Sequence, residues 1–327
     1  MRPIKFNVGL PNGDYHNIAM IARRAEELGY YSVSLDDHFF MRGFMSDPKA
    51  PHLECYTTLS AVAAITKTVK IVPLVTALSY RNPALLAKMI ATLDNISGGR
   101  FIAGLGAGWF KEEYDAYGFP YPSNAERIDQ LADGVKVLKA MWTQDEPSYR
   151  GKYFSVEKAF CMPRPLQKPY PPIMIGGGGK KILKIAAEEG DILNLNPPVT
   201  RGMVEIQEAL KFDKNEVHRR LGLLKDYVKA AGRAAGSVEY SAMCIVIANK
   251  DKSAAEMMIK MTAQSVGLAD TDAARNSPQL LLGTYEEVKR EIAWRIENFG
   301  TSYFFLNFMA PEGLETFAKD VMPEFTR

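Results

Sequence analysis

Three short apolar runs in this sequence each stop at residues that could do chemistry, and a helical pattern follows each run. The first run ends before Asp36-Asp37-His38, the second before Gly106-Ala107-Gly108-Trp109, and the third before the glycines of 176–179. Runs of this length are typical of strands that are buried on both faces. If all three loops open on one face of a sheet, an imidazole, carboxylates and free backbone amides meet there. These groups are suited to proton transfer and to anion binding.

His38 is the candidate for handling a proton. It is one of four histidines, and imidazole is the side chain whose charge changes near neutral pH. Asp37 beside it could hold the ring in one tautomer, so that His38 donates or accepts a proton. The alternative is a histidine of the surface or of the core.

The glycine run 176–179 stands before Lys180 and a predicted helix. Consecutive glycines let backbone N–H groups approach an anion at the positive end of a helix dipole, which predicts a phosphate site. A tight turn is the alternative. The run lacks the Ser or Thr of a P-loop, and Trp109 occupies the place of the third glycine in a dinucleotide fingerprint.

Other catalytic patterns do not occur in the sequence. No two histidines stand at metal-ligand spacing on a helix, and Asp36 and Asp37 point to opposite sides of a strand, so we expect no metal site. No serine occupies a Gly-x-Ser-x-Gly elbow, and no cysteine follows a predicted strand beside a histidine.

The elements that position these loops alternate between strand and helix. Strands are predicted at 5–10, 32–35, 70–75, 100–105, 173–175, 192–195, 238–246 and 302–307. Helices are predicted at 16–28, 56–65, 83–95, 125–141, 181–189, 203–231, 253–266 continuing through 285–299, and 314–321. Alternation without a composition break predicts a parallel sheet, and eight strands favour a closed (β/α)8 TIM barrel. We predict a single domain over 1–327, with an ordered insertion at about 142–171 between the fourth helix and the fifth strand, lying over the barrel.

Composition limits the partners. The chain has 327 residues, and 40 Lys and Arg against 38 Asp and Glu leave a net charge of +2, which predicts neither a nucleic acid nor a membrane as partner. A small molecule is expected instead. The sequence has no run of about 18 apolar residues and no apolar signal region, so we expect a cytoplasmic protein. Cys55, Cys161 and Cys244 fit reduced thiols.

Several segments together resemble the luciferase-like flavin-dependent oxidoreductases, and within them the subgroup that uses the deazaflavin coenzyme F420. The segments are Asp37-His38-Phe39, Val75–Pro83, Ala91–Arg100, Gly104–Trp109 with Glu113, and Ile175–Gly178. The resemblance covers Ile4 to about Asn194 and resumes at Gly283-Thr284 and Val321-Met322-Pro323.

The resemblance implies a luciferase-like barrel with the coenzyme in its mouth. Asp37 and His38 should line the ring as catalytic and coenzyme-binding residues, and the Leu74–Val75 peptide should be a non-proline cis bond against it. The resemblance places further coenzyme contacts at Thr76, Gly108, Glu112, Gly176, Gly177, Gly178 and Gly179. Relatives that oxidise sugar phosphates or alcohols carry glutamate in place of Trp109 and tryptophan in place of Arg42, which marks Trp109 and Arg42 as substrate residues.

These inferences predict an oxidoreductase that transfers a hydride between coenzyme F420 and a small organic substrate, in the reductase direction and as a homodimer. One alternative is a monooxygenase that uses reduced flavin mononucleotide (FMN). The other is a non-catalytic flavin-binding barrel.

Overall fold

The computed structural model describes residues 2–41, 47–197, 199, 202, 209, 211–265, 271–309 and 311–326. Its strands are β1 Lys5–Gly9, β2 Ser32–Leu35, β3 Lys70–Pro73, β4 Thr76–Ala77, β5 Ala103–Gly106, β6 Tyr149–Arg150, β7 Ser155–Val156, β8 Ile173–Gly176, β9 Ile192–Leu195, β10 Glu239–Asn249, β11 Leu280–Thr284 and β12 Tyr303–Phe308.

A parallel barrel forms from these strands. The pairs are β1 with β2, β2 with β3, β4 with β5, β5 with β8, β8 with β9, β9 with β10, β10 with β12, and β12 with β1. A parallel bridge from Ile71 to Phe101 joins β3 to the start of β5. With β3 and β4 counted as one position, the described strands of this path occupy eight positions. This confirms the predicted (β/α)8 barrel.

Helices surround the barrel. They are α1 Tyr15–Glu27, α2 Cys55–Ile65, α3 Pro83–Ile96, α4 Lys111–Tyr117, α5 Asn124–Thr143, α6 Lys180–Glu189, α7 Lys214–Ala230, α8 Lys252–Ser265, α9 Asp272–Asn276, α10 Tyr285–Phe299 and α11 Pro311–Asp320. Local signals set several ends. Pro83 begins α3 behind an Asn82 cap, and a capping box between Ser123 and Glu126 begins α5.

The helices predicted at 253–266 and 285–299 are confirmed by α8 and α10, but the prediction that one continues into the other was wrong. Between them the described residues form the short α9 and then β11, which pairs in parallel with β10 outside the main path of the barrel. The run Leu280-Leu281-Leu282 is too short for periodicity to separate strand from helix. Of the helix predicted at 203–231, the structure confirms α7, whereas 203–208 and 210 lie outside the described residues.

The insertion packs along α3 and α5 and includes the antiparallel pair β6 and β7. The indole nitrogen of Trp142, at the end of α5, donates to the carbonyl of Ala87 on α3. Gln167 donates to the carboxylate of Asp94 and to the carbonyl of Phe101, just before β5. The segment is therefore held at the side of the barrel and near the amino end of β5, which corrects the prediction that it lies over the barrel.

Side chains alternate between two buried layers, as the period of a strand requires. Tyr303 and Phe305 of β12 pack inside the barrel with Val72, Ile102, Met174 and Ile192. Phe304 and Leu306 pack on the helix side of the sheet. The three cysteines are buried and free. Among the described helices, none is both long and apolar enough to cross a membrane.

Candidate active site

The predicted site residues lie at the carboxyl ends of the barrel strands. Asp37 and His38 follow β2, Leu74 and Val75 lie between β3 and β4, and Thr76 begins β4. The remaining loop positions are Gly108 and Trp109 after β5, Gly176 at the end of β8, and Gly177, Gly178 and Gly179 before α6. Because parallel strands point the same way, these loops share one face of the barrel, where the sites of this architecture form.

Glu113 of α4 holds the His38 ring. His38 Nδ1 lies 2.7 Å from Glu113 Oε2, and the Glu113 side chain is fully buried. The phenol of Tyr80 donates to the same oxygen at 2.7 Å, and the backbone N–H of Phe39 donates to Oε1. These contacts fix the position of the carboxylate and direct Nδ1 towards it. Among the described residues, no hydrogen bond to His38 Nε2 is present, so this nitrogen can exchange a proton with a ligand.

The charge around His38 favours its protonated form. Burial by itself lowers the pKa of His38, but the hydrogen bond to Glu113 and the charges of Glu113, Asp36 and Asp37 outweigh it. The pKa of His38 is therefore raised above its ordinary value. The pKa of Tyr80 is also raised, by burial and by the charge of Glu113, so its phenol remains a donor at neutral pH.

Asp37 does not hold His38, which corrects the prediction from their adjacency. Arg81 donates to both carboxylate oxygens of Asp37, at 2.6 and 2.9 Å, and a third hydrogen bond of 2.6 Å joins Arg81 to Glu54. Consecutive residues at a strand end point in different directions, so Asp37 is occupied by Arg81 while His38 turns to Glu113. A direct role of Asp37 towards a coenzyme stays a prediction.

A platform of backbone forms beside His38 at residues 74–76. The Leu74–Val75 peptide bond is cis, as the resemblance predicted. A Cβ atom added at Gly106 would lie 2.8 Å from Val75 Cγ2, and one at Gly176 would lie 2.6 Å from the same atom. Glycine at these two strand ends therefore gives room to Val75. Thr76 is fixed by a 2.8 Å hydrogen bond between its hydroxyl and that of Tyr56.

The glycine run forms an open cradle at the start of α6. Gly177 has a φ of +124°, which residues with side chains rarely adopt, and its N–H donates to the Asn194 carbonyl at 2.9 Å. A Cβ at Gly178 would collide with the carbonyl of Asn196, whereas nothing lies within 4 Å of one at Gly179. Within the described part of the chain, no side chain caps α6. The amides of its first turn are suited to an anion, so these residues fit a phosphate-bearing coenzyme.

Trp109 forms a wall next to His38. The two rings meet edge to face, with centroids 5.3 Å apart, and Gly108 lies against Tyr114, whose hydroxyl would collide with a Cβ there. Glu112 is half-buried on α4, where its neighbour Glu113 makes the contact with His38. Arg42, the other predicted substrate residue, lies outside the described residues.

Three comparisons bear on this geometry. The family model described as luciferase-like monooxygenase matches residues 4–298. The chain belongs to the luciferase-like monooxygenase family. An FMNH2-dependent dimethylsulfone monooxygenase of Pseudomonas putida is 30% identical over 58% of the chain and 55% of that protein. An F420-dependent glucose-6-phosphate dehydrogenase of Amycolatopsis mediterranei is 34% identical over 52% of the chain and 50% of that protein.

A solved structure confirms the luciferase-like fold over the whole length. An F420-dependent secondary alcohol dehydrogenase, in complex with an F420-acetone adduct, superposes with a TM-score of 0.79 at 22% identity, covering 99% of the chain and 98% of that structure. The aligned regions span only about half the length of the two curated relatives.

The sequence does not predict the contacts of several residues of the site. Glu113 and Tyr80 lie inside the segments that carry the family resemblance, but their spacing does not show that they meet at His38. The position of Arg220 of α7 is not predicted from the sequence either. Its guanidinium donates to the carbonyl of Gly178 and to Glu216, which places a cation beside the glycine cradle. No local pattern links residue 220 to residue 178.

Proposed function

We propose that this member of the luciferase-like monooxygenase family is an oxidoreductase that transfers a hydride between coenzyme F420 and a small organic substrate, in the reductase direction. The observation that carries the proposal is the pair formed by His38 and Glu113 at the barrel mouth. A buried carboxylate fixes Nδ1 and raises the pKa of the ring, so that Nε2 is left to donate a proton. Reduction of a carbonyl or an activated alkene needs such a donor.

His38 and Glu113 have separate roles in this reaction. A bound deazaflavin supplies the hydride chemistry, which the protein does not provide. His38 donates the accompanying proton from Nε2, and Glu113 holds the ring and stabilises its charged form. Trp109 and the neighbouring Phe110, whose rings lie 5.2 Å apart, give the substrate an apolar wall that excludes water.

The coenzyme itself is assigned to three parts of the site. The glycine cradle, Gly176 to Gly179, takes the phosphate through backbone amides. The backbone of Leu74, Val75 and Thr76 supports the ring, with Asp37 and His38 beside it. Gly108 and Glu112 complete the contacts that we assign to the coenzyme. The F420-dependent relative and the F420-dependent structural neighbour support this choice.

A second candidate is a monooxygenase that uses reduced FMN. The dimethylsulfone monooxygenase relative supports it, and so does the apolar wall at Trp109, which would shield an oxygen-reactive flavin from water. Both candidates use the same barrel mouth, so that the coenzyme distinguishes them.

The deciding experiment is a titration of the purified protein with F420 and with FMN, each oxidised and reduced, under identical conditions. We expect micromolar or tighter binding of F420 and weaker binding of FMN. Tighter binding of reduced FMN, with oxygen-dependent product formation, would support the monooxygenase. Tight flavin binding without turnover of any substrate, with or without oxygen, would support the non-catalytic barrel.

A further inference from the structure

Asn196 has an unused hydrogen-bond acceptor at the barrel mouth. The residue follows β9, and its Oδ1 atom is buried without a hydrogen-bond partner among the residues that the structure describes. Two other such atoms near the mouth, Asp36 Oδ2 and His52 Nε2, lie 2.9 Å from each other. Asn196 Oδ1 has no comparable compensation, although it is a strong acceptor.

A directional chain of hydrogen bonds fixes the orientation of this amide. The hydroxyl of Ser241 donates to the Leu193 carbonyl at 3.1 Å and therefore accepts from Asn194 Nδ2 at 3.0 Å. Asn194 Oδ1 is then the acceptor for Asn196 Nδ2, at 2.6 Å. Reversing the Asn196 amide would bring two carbonyl oxygens together at that distance. Oδ1 of Asn196 therefore faces away from this chain.

The position of Asn196 connects it with the glycine cradle. Its backbone carbonyl oxygen lies 2.2 Å from the place that a Cβ atom of Gly178 would take, and the N–H of Gly177 donates to the nearby Asn194 carbonyl at 2.9 Å. A buried acceptor without a partner is unfavourable until a donor reaches it. A phosphate at neutral pH offers acceptor oxygens and negative charge, so it is the wrong partner. A hydroxyl is a suitable one.

We propose that Asn196 is a coenzyme-binding residue, and that its Oδ1 accepts a hydrogen bond from a hydroxyl of the polyol chain between the ring and the phosphate. This inference rests on the proposed function, because it requires a ribityl-bearing coenzyme whose phosphate lies in the cradle. It adds a side-chain contact specific for the polyol to the backbone contacts made by the glycines.

The test compares ligands that differ only in the polyol. Binding of a 10-ribityl deazaflavin and of a 10-pentyl deazaflavin, which lacks the hydroxyls, is measured by fluorescence quenching for the wild type and for Asn196→Leu. We expect the wild type to prefer the ribityl ligand by about tenfold or more, which is the effect of one well-formed hydrogen bond. Asn196→Leu should lose this preference.

Asn307 provides the matched control, since it stands near the carboxyl end of β12 beside Gly9, and β12 is separated from β9 by β10. Asn307→Leu should keep the preference of the wild type. An equal preference in the wild type and Asn196→Leu would overturn the inference, as would a preference lost equally in Asn307→Leu. Circular dichroism verifies folding, and Asn196→Ala replaces Asn196→Leu if the latter does not fold.

The same cycle with riboflavin and a 10-pentyl flavin separates this inference from the choice of coenzyme. A preference dependent on Asn196 in the flavin series, with no binding in the deazaflavin series, would refute F420 and support Asn196. Binding in neither series would overturn both.

Discussion

At the scale of the residue, we expect His38 to act in proton transfer more than in coenzyme binding. Only part of its ring is accessible, with 16% of the side chain exposed, and Glu113 occupies Nδ1. His38→Ala should therefore lower turnover by roughly 100-fold or more while coenzyme affinity stays within about tenfold. His16→Ala, on the exposed side of α1, is the control for a lost imidazole and should leave turnover unchanged.

The converse variant lies in the cradle. Gly177→Val introduces a branched side chain at a φ of +124°, so it should weaken coenzyme binding first. Steady-state kinetics and coenzyme titration of both variants are the measurements. Equal losses of affinity in His38→Ala and Gly177→Val would show that His38 is a binding residue.

Glu113 sets the pH range in which His38 is charged. Because the folded protein raises the pKa of His38, the proton donor is present below this pKa and is lost as the pH rises through it. Glu113→Gln retains the shape and removes the charge, which lowers the pKa of His38. The decline of the reductase rate should therefore occur at lower pH in the variant. Asp115→Asn, on the exposed face of α4, should reproduce the wild-type profile, and an unshifted Glu113→Gln profile would contradict the assigned pair.

At the scale of the element, α7 supports the loop that begins α6. Arg219 and Arg220 both pair with Glu216, but only Arg220 reaches the Gly178 carbonyl. Arg220→Gln should weaken binding of a phosphorylated coenzyme by about tenfold, while the ribityl compound without phosphate is affected about twofold or less, because the loop's amides would no longer be held towards the anion.

Arg219→Gln is a closely matched control for this prediction. It removes the same charge from the adjacent position, where the side chain is half exposed. Calorimetric titration of both variants with both ligands gives the comparison. If the two variants behave alike, the contact between Arg220 and Gly178 has no part in phosphate binding.

At the scale of the whole molecule, we expect the barrel mouth to select the substrate class. Trp109 offers a flat apolar surface and one N–H donor, where a glutamate would offer a proton-transfer partner for a hydroxyl. We expect activated alkenes and ketones to be reduced by reduced F420, and glucose 6-phosphate to be a poor substrate with oxidised F420. Absorbance assays of the coenzyme over this panel are the test. Fast oxidation of the sugar phosphate without reduction of the acceptors would overturn the reductase direction.

The outer surface carries an apolar region suited to the predicted homodimer. Leu85 of α3 is 58% exposed, and Met162 of the insertion is 66% exposed. Lys88 of α3 donates a hydrogen bond to the Met162 carbonyl, which holds the two segments together. Exposed apolar clusters of this kind mark interfaces. Sedimentation should give about twice 36.4 kDa, and Leu85→Glu should weaken the dimer. Met257→Glu, at an exposed methionine of α8, should not; a monomeric wild type would refute the prediction.

The sequence by itself determined the barrel and the location of its mouth. Short apolar runs such as Ser32–Leu35 and Ile173–Gly176 are local signals, because a strand covered on both faces needs apolar residues throughout. Helix starts such as Pro83 and Ser123 are local as well. These patterns, with the family resemblance, also located His38, the glycine run and the Leu74–Val75 bond.

The tertiary structure alone decided which side chains meet. Glu113 lies 75 positions from His38, and Arg220 lies 42 from Gly178, so no helix or strand period relates them. Asp37 is closer to His38 in sequence, but at the end of the strand its carboxylate points to Arg81 and accepts hydrogen bonds from it. Leu280–Thr284 likewise forms a strand because it pairs in parallel with β10. Local propensity fixes elements, whereas hydrogen-bond partners depend on how the closed barrel brings distant loops together.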